Sequence, residues 1–148
     1  MSNLFIGKET SLLFNSWHAV DELYVKYAKS VGLTYLGLVI LDTIYNMPNN
    51  CTQKAICEKT DLPKQSVNAI IRSFLNEGYI ELKEIDTDRR NKEIRLSKSG
   101  KEYGDKVIGK LLEAESKLVE SLAYEERQSM INLMNKAERV LRDIIHIK

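Results

Sequence analysis

Apolar residues recur every three or four positions along most of this 148-residue chain, and that spacing marks one face of a helix. The pattern predicts helices at residues 12–31, 34–46, 52–60, 63–77, 100–122 and 124–145. The second of these is apolar nearly all round, so it is expected to be the most buried. Chain breakers agree with these limits, since Gly32 follows the first helix and Gly78 follows the fourth.

The spacing changes to strict alternation between the fourth and fifth helices, which is typical of a half-buried hairpin. Residues 79–85 and 92–96 are the predicted strands. One face carries Ile80, Leu82, Ile94 and Leu96, and the other carries Glu81, Lys83, Glu93 and Arg95. The connecting residues 86–91 include no apolar side chain and are predicted to form a loop that exposes Arg89 and Arg90. The predicted fold class is therefore mainly α with a small β-hairpin.

The third and fourth helices are short and are joined by a tight turn, which predicts a helix-turn-helix. Thr52 suits the cap of the third helix, and Pro63 suits the first turn of the fourth. The fourth helix has one apolar face, and polar side chains lie on the other face near its start: Lys64, Gln65, Ser66, Asn68 and Arg72. Such side chains contact base edges and phosphates in DNA complexes.

Composition changes this picture little, because a net charge of +1 gives no overall preference for nucleic acid. The length and the 43% hydrophobic content suit one domain with a pairing extension. The positive charge is instead local, since residues 87–98 hold five basic side chains against two acidic ones. At a hairpin tip that follows a polar-faced helix, this excess favours contact with phosphate over a merely solvated face.

Catalytic and metal chemistry find no support in the sequence. Cys51 and Cys57 form no C-x-x-C pair, and His18 and His146 lie far from them, so neither a metal site nor a cofactor is predicted. No Gly-rich phosphate loop and no nucleophile–base pair indicate an enzyme. Cys57 is expected to be a small buried residue, and Cys51 is expected to lie at the start of its helix. A cysteine-based redox-sensing regulator is the alternative for this pair.

The N-terminal residues have no basic start and no long apolar stretch, so they do not predict a secretory signal. The longest apolar run, around residues 35–44, includes Gly37 and Asp42 and is shorter than a membrane span. The sequence therefore predicts a cytoplasmic protein.

The hairpin carries the most specific motif in the chain. The segment D-R-R at 88–90, followed by L-S at 96–97 and by Gly100, resembles the D-x-R…L-T-x-x-G wing signature of the MarR family of winged-helix transcriptional regulators. Serine stands where the family usually has threonine, and it keeps the hydroxyl that caps the next helix. The resemblance extends along the chain through T-Q-K-A-I, L-P-K-Q-S-V-N and F-L-N-E-G-Y-I to the two closing helices.

The resemblance implies a winged helix-turn-helix with long terminal dimerisation helices. Residues 33–99 would form the DNA-binding domain, and residues 1–32 with 100–148 the helical dimerisation region. It also implies a homodimeric, sequence-specific regulator of transcription, a repressor that a small ligand releases from a pseudo-palindromic operator in double-stranded DNA. The alternative is a winged-helix module that binds another protein without binding DNA.

Matching the family's motif position by position implies a set of DNA-binding residues. That set is Thr52, Gln53, Lys64, Gln65, Ser66, Asn68, Arg72, Arg89, Arg90 and Lys92. Asp88 is expected to brace an arginine of the wing without touching DNA, because phosphate repels a carboxylate. Two positions depart from the family pattern: Ala69 stands where a basic residue is common, and Pro63 occupies the usual cap position.

The closing helices are longer than a small winged-helix core can cover, so their apolar faces are expected to pair with a second copy. The predicted dimer interface comprises Leu4, Phe5, Ile6, Met134, Leu141, Ile144 and Ile145. The resemblance further implies a small aromatic or anionic effector, which family members bind between the DNA-binding lobe and the dimer helices. The candidate pocket is Trp17, His18, Tyr24, Tyr27 and Tyr35, and core packing is the alternative for each of them.

Overall fold

The computed structural model describes residues 7–85 and 88–145, with only the backbone described at 88–90. Within those residues it contains α1 (Lys8–Ser30), α2 (Tyr35–Tyr45), α3 (Gln53–Thr60), α4 (Lys64–Asn76), β1 (Ile80–Ile85), β2 (Asp88–Leu96), α5 (Lys98–Ser121) and α6 (Tyr124–Ile145). The strands pair as one antiparallel hairpin. The predicted fold class and element order are confirmed. A first compact unit ends at Ile108, and a second begins at Gly109 within α5.

The core of the first unit is built around α2. The Thr34 side chain caps this helix by accepting the backbone N–H of Gly37 at 3.0 Å. Four α2 side chains are almost wholly buried, as predicted: Leu38, Ile40, Leu41 and Ile44. Buried side chains of the next elements complete the same core: Ile56 of α3, Val67, Ile71 and Phe74 of α4, Ile80 and Ile94 of the hairpin, and Val107 and Ile108 of α5.

Two tyrosine hydroxyls attach the end of α1 to α5. Tyr27 donates to the carbonyl of Val107 at 2.7 Å, and Tyr103 donates to the carbonyl of Val31 at 2.7 Å. Ala28 is the buried residue of α1. Along the rest of this helix large apolar side chains are exposed: Leu12, Leu13, Phe14, Val20, Leu23 and Val25.

The second unit contains the rest of α5 and the whole of α6, whose predicted limits are confirmed. The Glu126 carboxylate accepts the backbone N–H of Ala123 at 2.8 Å and so caps the start of α6. Ion pairs between Glu113 and Lys117 and between Glu138 and Arg142 lie on the exposed surface of these helices. Every described side chain of α6 is at least partly exposed.

The hairpin differs from its prediction at the tip. The second strand begins at Asp88, four residues before the predicted start, so residues 88–91 belong to a strand and not to a loop. Glu84 pairs with Lys92 but Ile85 pairs with Asp88, which places the intervening residues of β2 in an irregularity of the ladder.

Two side chains of the hairpin also contradict the predicted faces. Glu93 was expected on the solvent side but is buried, because the segment before α3 pairs with β2 at this position and the N–H of Asn50 binds the carboxylate. Leu82 was expected on the core side but is 41% exposed, because it lies farther from the root of the hairpin than Ile80, which is 3% exposed.

The burial predicted for Cys57 is wrong, whereas Cys51 lies just before α3 as expected. Cys51 is fully buried, whereas Cys57 is partly exposed. Cys51 is buried because β2 pairs with the segment before α3, where the Cys51 carbonyl accepts the N–H of Ile94 at 2.6 Å. Helix limits differ slightly as well: α1 begins at Lys8, and Pro63 is the N-cap of α4 instead of a first-turn residue.

No helix in the described residues is long and apolar enough to cross a membrane. Across residues 7–85 and 88–145, no group of three or more His, Cys, Asp or Glu side chains could hold a metal ion.

Candidate nucleic-acid interface

The helices α3 and α4 are joined to each other through their first turns. The Thr52 side chain accepts the N–H of Ala55 at 3.1 Å and caps α3, as predicted. The Gln53 amide donates to the carbonyl of Lys64 at 3.3 Å, which links the first turns of the two helices. Asp61 turns the chain between them with a left-handed φ of 55°. Two of the predicted phosphate-contacting residues, Thr52 and Gln53, therefore also orient the pair.

One face of α4 is buried and the other is available to a partner. Val67, Ile71 and Phe74 are at most 5% exposed and fix the helix against the core. The predicted DNA-binding side chains of this helix lie away from that face: Lys64, Gln65 and Arg72 are exposed, and Ser66 and Asn68 are partly exposed. The arrangement presents amides, a hydroxyl and two cations on a rigid helix, which is the chemistry that reads a DNA groove.

The tip of the wing is only partly described. Lys92 is exposed and lies opposite Glu84 in the ladder. The side chains of Asp88, Arg89 and Arg90 lie outside the described residues, so their bracing and DNA-binding roles stay predictions.

The root of the wing holds a buried carboxylate that the sequence pattern did not reveal as such. One oxygen of Glu93 accepts the backbone N–H of Asn50 at 2.9 Å, and the other accepts Nε of Arg95 at 3.0 Å. These hydrogen bonds hold the pKa of Glu93 below its ordinary range. Alternation places Glu93 and Arg95 on one face and so indicates their pairing, but no local signal indicates the contact with Asn50.

The chemistry of Cys51 does not favour redox sensing. Burial, followed by the nearby negative charge of Glu93, raises the pKa of the Cys51 thiol to about 11. The thiolate is the form that reacts with oxidants, so a buried thiol held protonated is a poor sensor.

The five aromatic candidates for a ligand pocket lie along α1 and at the start of α2. Trp17 stacks on Phe14 with ring centroids 6.3 Å apart, and His18 lies 6.4 Å from the same ring. The Tyr27 hydroxyl donates its hydrogen bond to α5, and Tyr35 is 47% exposed. Tyr24 is partly exposed. None of the five lines the cavity of about 420 Å³ that lies between the ends of α2 and β2 and the start of α5.

The predicted dimer residues of α6 are exposed in the single chain. Met134, Leu141, Ile144 and Ile145 are between 38% and 68% exposed. Leu118 and Met130 line an apolar groove of about 370 Å³ with Met134 in the second unit. Leu4, Phe5 and Ile6 lie outside the described residues.

Comparison with known proteins agrees with this arrangement. A family model described as MarR family matches residues 31–91. The transcriptional regulator SarZ from Staphylococcus aureus is 24% identical over 147 residues, which cover 99% of this chain and 88% of SarZ.

Two solved structures have the same fold. NMB1585, a MarR family regulator from Neisseria meningitidis, has a TM-score of 0.73 at 23% identity, covering 95% of this chain and 98% of its own. The S. aureus MepR–DNA complex has a TM-score of 0.70 at 20% identity, covering 85% of this chain and 96% of MepR. At these identities the structural matches speak for the fold alone.

Proposed function

We propose that the chain is a winged-helix transcriptional regulator of the MarR family, a homodimeric repressor that binds a pseudo-palindromic operator. The family consists of non-enzymatic DNA-binding proteins, so the chain acts by binding and not by catalysis. DNA recognition is assigned to α4 and the wing, and pairing of two copies to the terminal helices.

The observation that carries this proposal is the two-sided character of α4. Its apolar face is anchored by Val67, Ile71 and Phe74, while Gln65 and Arg72 are exposed on the opposite side. A helix fixed in this way can enter the major groove without losing its position on the domain. MepR, which shares the fold, has been solved in complex with DNA.

Each contact has a distinct part in the proposal. Gln65, Ser66 and Asn68 read base edges, because amides and hydroxyls match the donors and acceptors of the major groove. Cationic side chains and the first turn of α3 bind phosphate through charge and through backbone N–H groups. These phosphate-binding residues are Thr52, Gln53, Lys64, Arg72, Arg89, Arg90 and Lys92. Asp88 braces an arginine of the wing.

Dimerisation is supported by the apolar surface of the second unit. Monomeric proteins rarely expose large contiguous apolar patches. Here Met130, Met134 and Leu141 are all more than a third exposed along one helix. A second copy of the same helix would cover them.

Release by a small aromatic or anionic ligand completes the proposal. Phe14 and His18 on α1 are exposed and Trp17 is partly exposed, and these aromatic side chains offer stacking partners for a planar ring. Binding there would favour one conformation of the dimer over another only if the ligand prefers that conformation.

A DNA-binding titration tests the proposal. The wild-type protein should select one sequence class from a random duplex pool, and its affinity for that duplex should fall steeply as salt rises. Protection from cleavage should then cover two half-sites about 10 bp apart, or a multiple of that distance. Absence of any selected sequence, with weak binding to all duplexes, would favour the protein-interaction module.

A further inference from the structure

Glu93 is a buried charge at the root of the wing. Glu93 is 9% exposed, and within the described part of the chain no other charged residue is buried. Both carboxylate oxygens have donors: Asn50 N–H at 2.9 Å on one, and the Nε and terminal nitrogen of Arg95 at 3.0 and 2.8 Å on the other. A buried carboxylate is tolerated only when it is satisfied in this way, so these contacts hold Glu93 in one position.

The partner of Glu93 lies directly before the helix-turn-helix. Asn50 has a left-handed φ of 58° and is followed by Cys51 and Thr52. The backbone carbonyl of Cys51 accepts the N–H of Ile94 at 2.6 Å, and Thr52 forms an isolated antiparallel bridge with Glu93. Three consecutive residues before α3 are therefore joined to two consecutive residues of β2.

The connection continues from α3 to the helix that faces DNA. Thr52 caps α3 by accepting the N–H of Ala55, and Gln53 donates to the carbonyl of Lys64 at the start of α4. These hydrogen bonds, together with the backbone of residues 50–53, connect the strand that carries the wing to the first turn of α4. The carboxylate adds a side-chain attachment to the backbone pairing between β2 and the segment before α3.

We propose that Glu93 is a positioning residue for DNA binding, which sets the wing relative to α3 and α4 so that wing and helix reach the duplex together. This inference rests on the proposed function. It assigns no DNA contact to Glu93 itself, because a carboxylate close to phosphate is repelled. The preorganised arrangement removes the entropic cost of ordering the wing when DNA binds.

The test compares two substitutions that each remove one negative charge from the same hairpin. Glu93→Gln keeps the shape of the side chain but replaces one acceptor oxygen by a donor amide, which faces a donor of either Asn50 or Arg95. Glu84→Gln changes an exposed residue outside these contacts. Glu93→Gln should bind the duplex selected by the wild type about tenfold more weakly. Glu84→Gln should bind as tightly as the wild type or more tightly.

The sign of the change separates positioning from simple electrostatics. If only charge matters, both variants should gain affinity, because each reduces repulsion of phosphate. Wild-type protein that binds no duplex defeats the proposed function and the inference together. Wild-type binding with Glu93→Gln at least as tight as Glu84→Gln overturns the inference alone.

Hydrogen exchange distinguishes positioning from general destabilisation. Both variants are first shown to be folded by their thermal melts, and binding is measured well below those transitions. In Glu93→Gln the amides of Asn50 and Ile94 should be accelerated much more than the core amide of Ile71 in α4, whose exchange reports the stability of the whole fold. An equal acceleration at Ile71 would mean that Glu93 supports the whole fold, and the positioning role would then be rejected.

Discussion

At the scale of single residues, Gly100 lets the start of α5 lie directly against the chain that leaves α4. A Cβ at this position would lie 1.7 Å from the backbone oxygen of Tyr79, which is far too short for two atoms that are not bonded to each other. The same oxygen accepts the N–H of Ser97 at 2.9 Å, and the Ser97 hydroxyl accepts the N–H of Gly100 at 3.0 Å. The serine cap and the glycine three residues later therefore serve one junction, which explains their spacing in the wing signature.

Substitution of Gly100 should therefore destabilise the protein. Gly100→Ala is expected to lower the free energy of unfolding by about 1–3 kcal/mol, because the backbone must move to relieve the overlap. Gly109→Ala in the same helix is the control. Its added methyl would meet nothing within 4 Å, and alanine favours a helix over glycine by about 1 kcal/mol. Urea unfolding measures both variants, and equal effects at the two glycines would contradict the explanation.

Glu93 gives the stability of the protein a dependence on pH. The N–H of Asn50 and then the side chain of Arg95 lower the pKa of this carboxyl from its ordinary 4.5, and the charge of Lys83 acts in the same direction. Desolvation acts in the opposite direction but is outweighed. The unfolded chain therefore takes up the proton first as pH falls. The stabilisation by Glu93 is complete above pH 4.5 and is lost as pH falls through the lower pKa of the folded state.

The expected result is a pH-dependent gap between wild type and Glu93→Gln. Their difference in unfolding free energy should be largest near neutral pH and should narrow below pH 4.5. Comparing the two proteins cancels the contributions of Asp105 and Glu113, whose pKa values are also lowered by hydrogen bonds. Denaturant unfolding at a series of pH values measures the gap. A gap that stays constant through this range would show that the ionised carboxylate does not stabilise the fold.

At the scale of elements, the sequence predicts what local chemistry controls. The limits of α6 and the caps at Thr52 and Ser97 follow from periodicity and side-chain type, and the structure has all of them. The early start of β2 does not follow, because Asp88 pairs with Ile85 across an irregularity that alternation does not indicate. The burial of Glu93 does not follow either, because it depends on pairing with residues some forty positions earlier. The burial of Cys51 has the same tertiary cause. Alternation identifies the two faces of a strand but not what covers each face.

Substitutions on the exposed side of α4 test whether this helix reads bases. Gln65→Ala and Asn68→Ala should each weaken binding to the selected duplex by about 1–3 kcal/mol and change the preferred base at one position. Binding to random duplexes should change little. Gln128→Ala, an exposed glutamine of α6 outside the predicted contacts, is the matched control. Competition titrations with the two DNA types give the answer, and equal losses on both would mean that α4 binds only the backbone.

At the scale of the whole molecule, the two units expose very different surfaces. The first unit buries a continuous core around α2, whereas the second leaves most of its large apolar side chains in solvent. Its exposed residues include Leu118, Met130, Ile131, Leu133, Met134, Val140, Leu141 and Ile144. Burial of such apolar area is the main driving force for association, so the single chain is expected to pair with a second copy in solution.

Dimerisation and operator symmetry are therefore one prediction. Sedimentation at micromolar concentration should give about twice the 17.0 kDa chain mass, because pairing stabilises the folded chain by mass action. Met134→Glu should shift the protein towards monomer by placing a charge within the apolar surface. Lys136→Glu, an exposed polar position of the same helix, is the control and should remain dimeric.

The effect on DNA then follows from symmetry, because a two-fold dimer places two copies of α4 on two half-sites. A Met134→Glu monomer should lose binding to the full operator but bind an isolated half-site as weakly as the wild type does. Both variants must keep the wild-type circular dichroism spectrum for this comparison to hold. If Met134→Glu is monomeric yet protects the full operator with wild-type affinity, the terminal helices do not set the symmetry of binding, and another surface must pair the two copies on DNA.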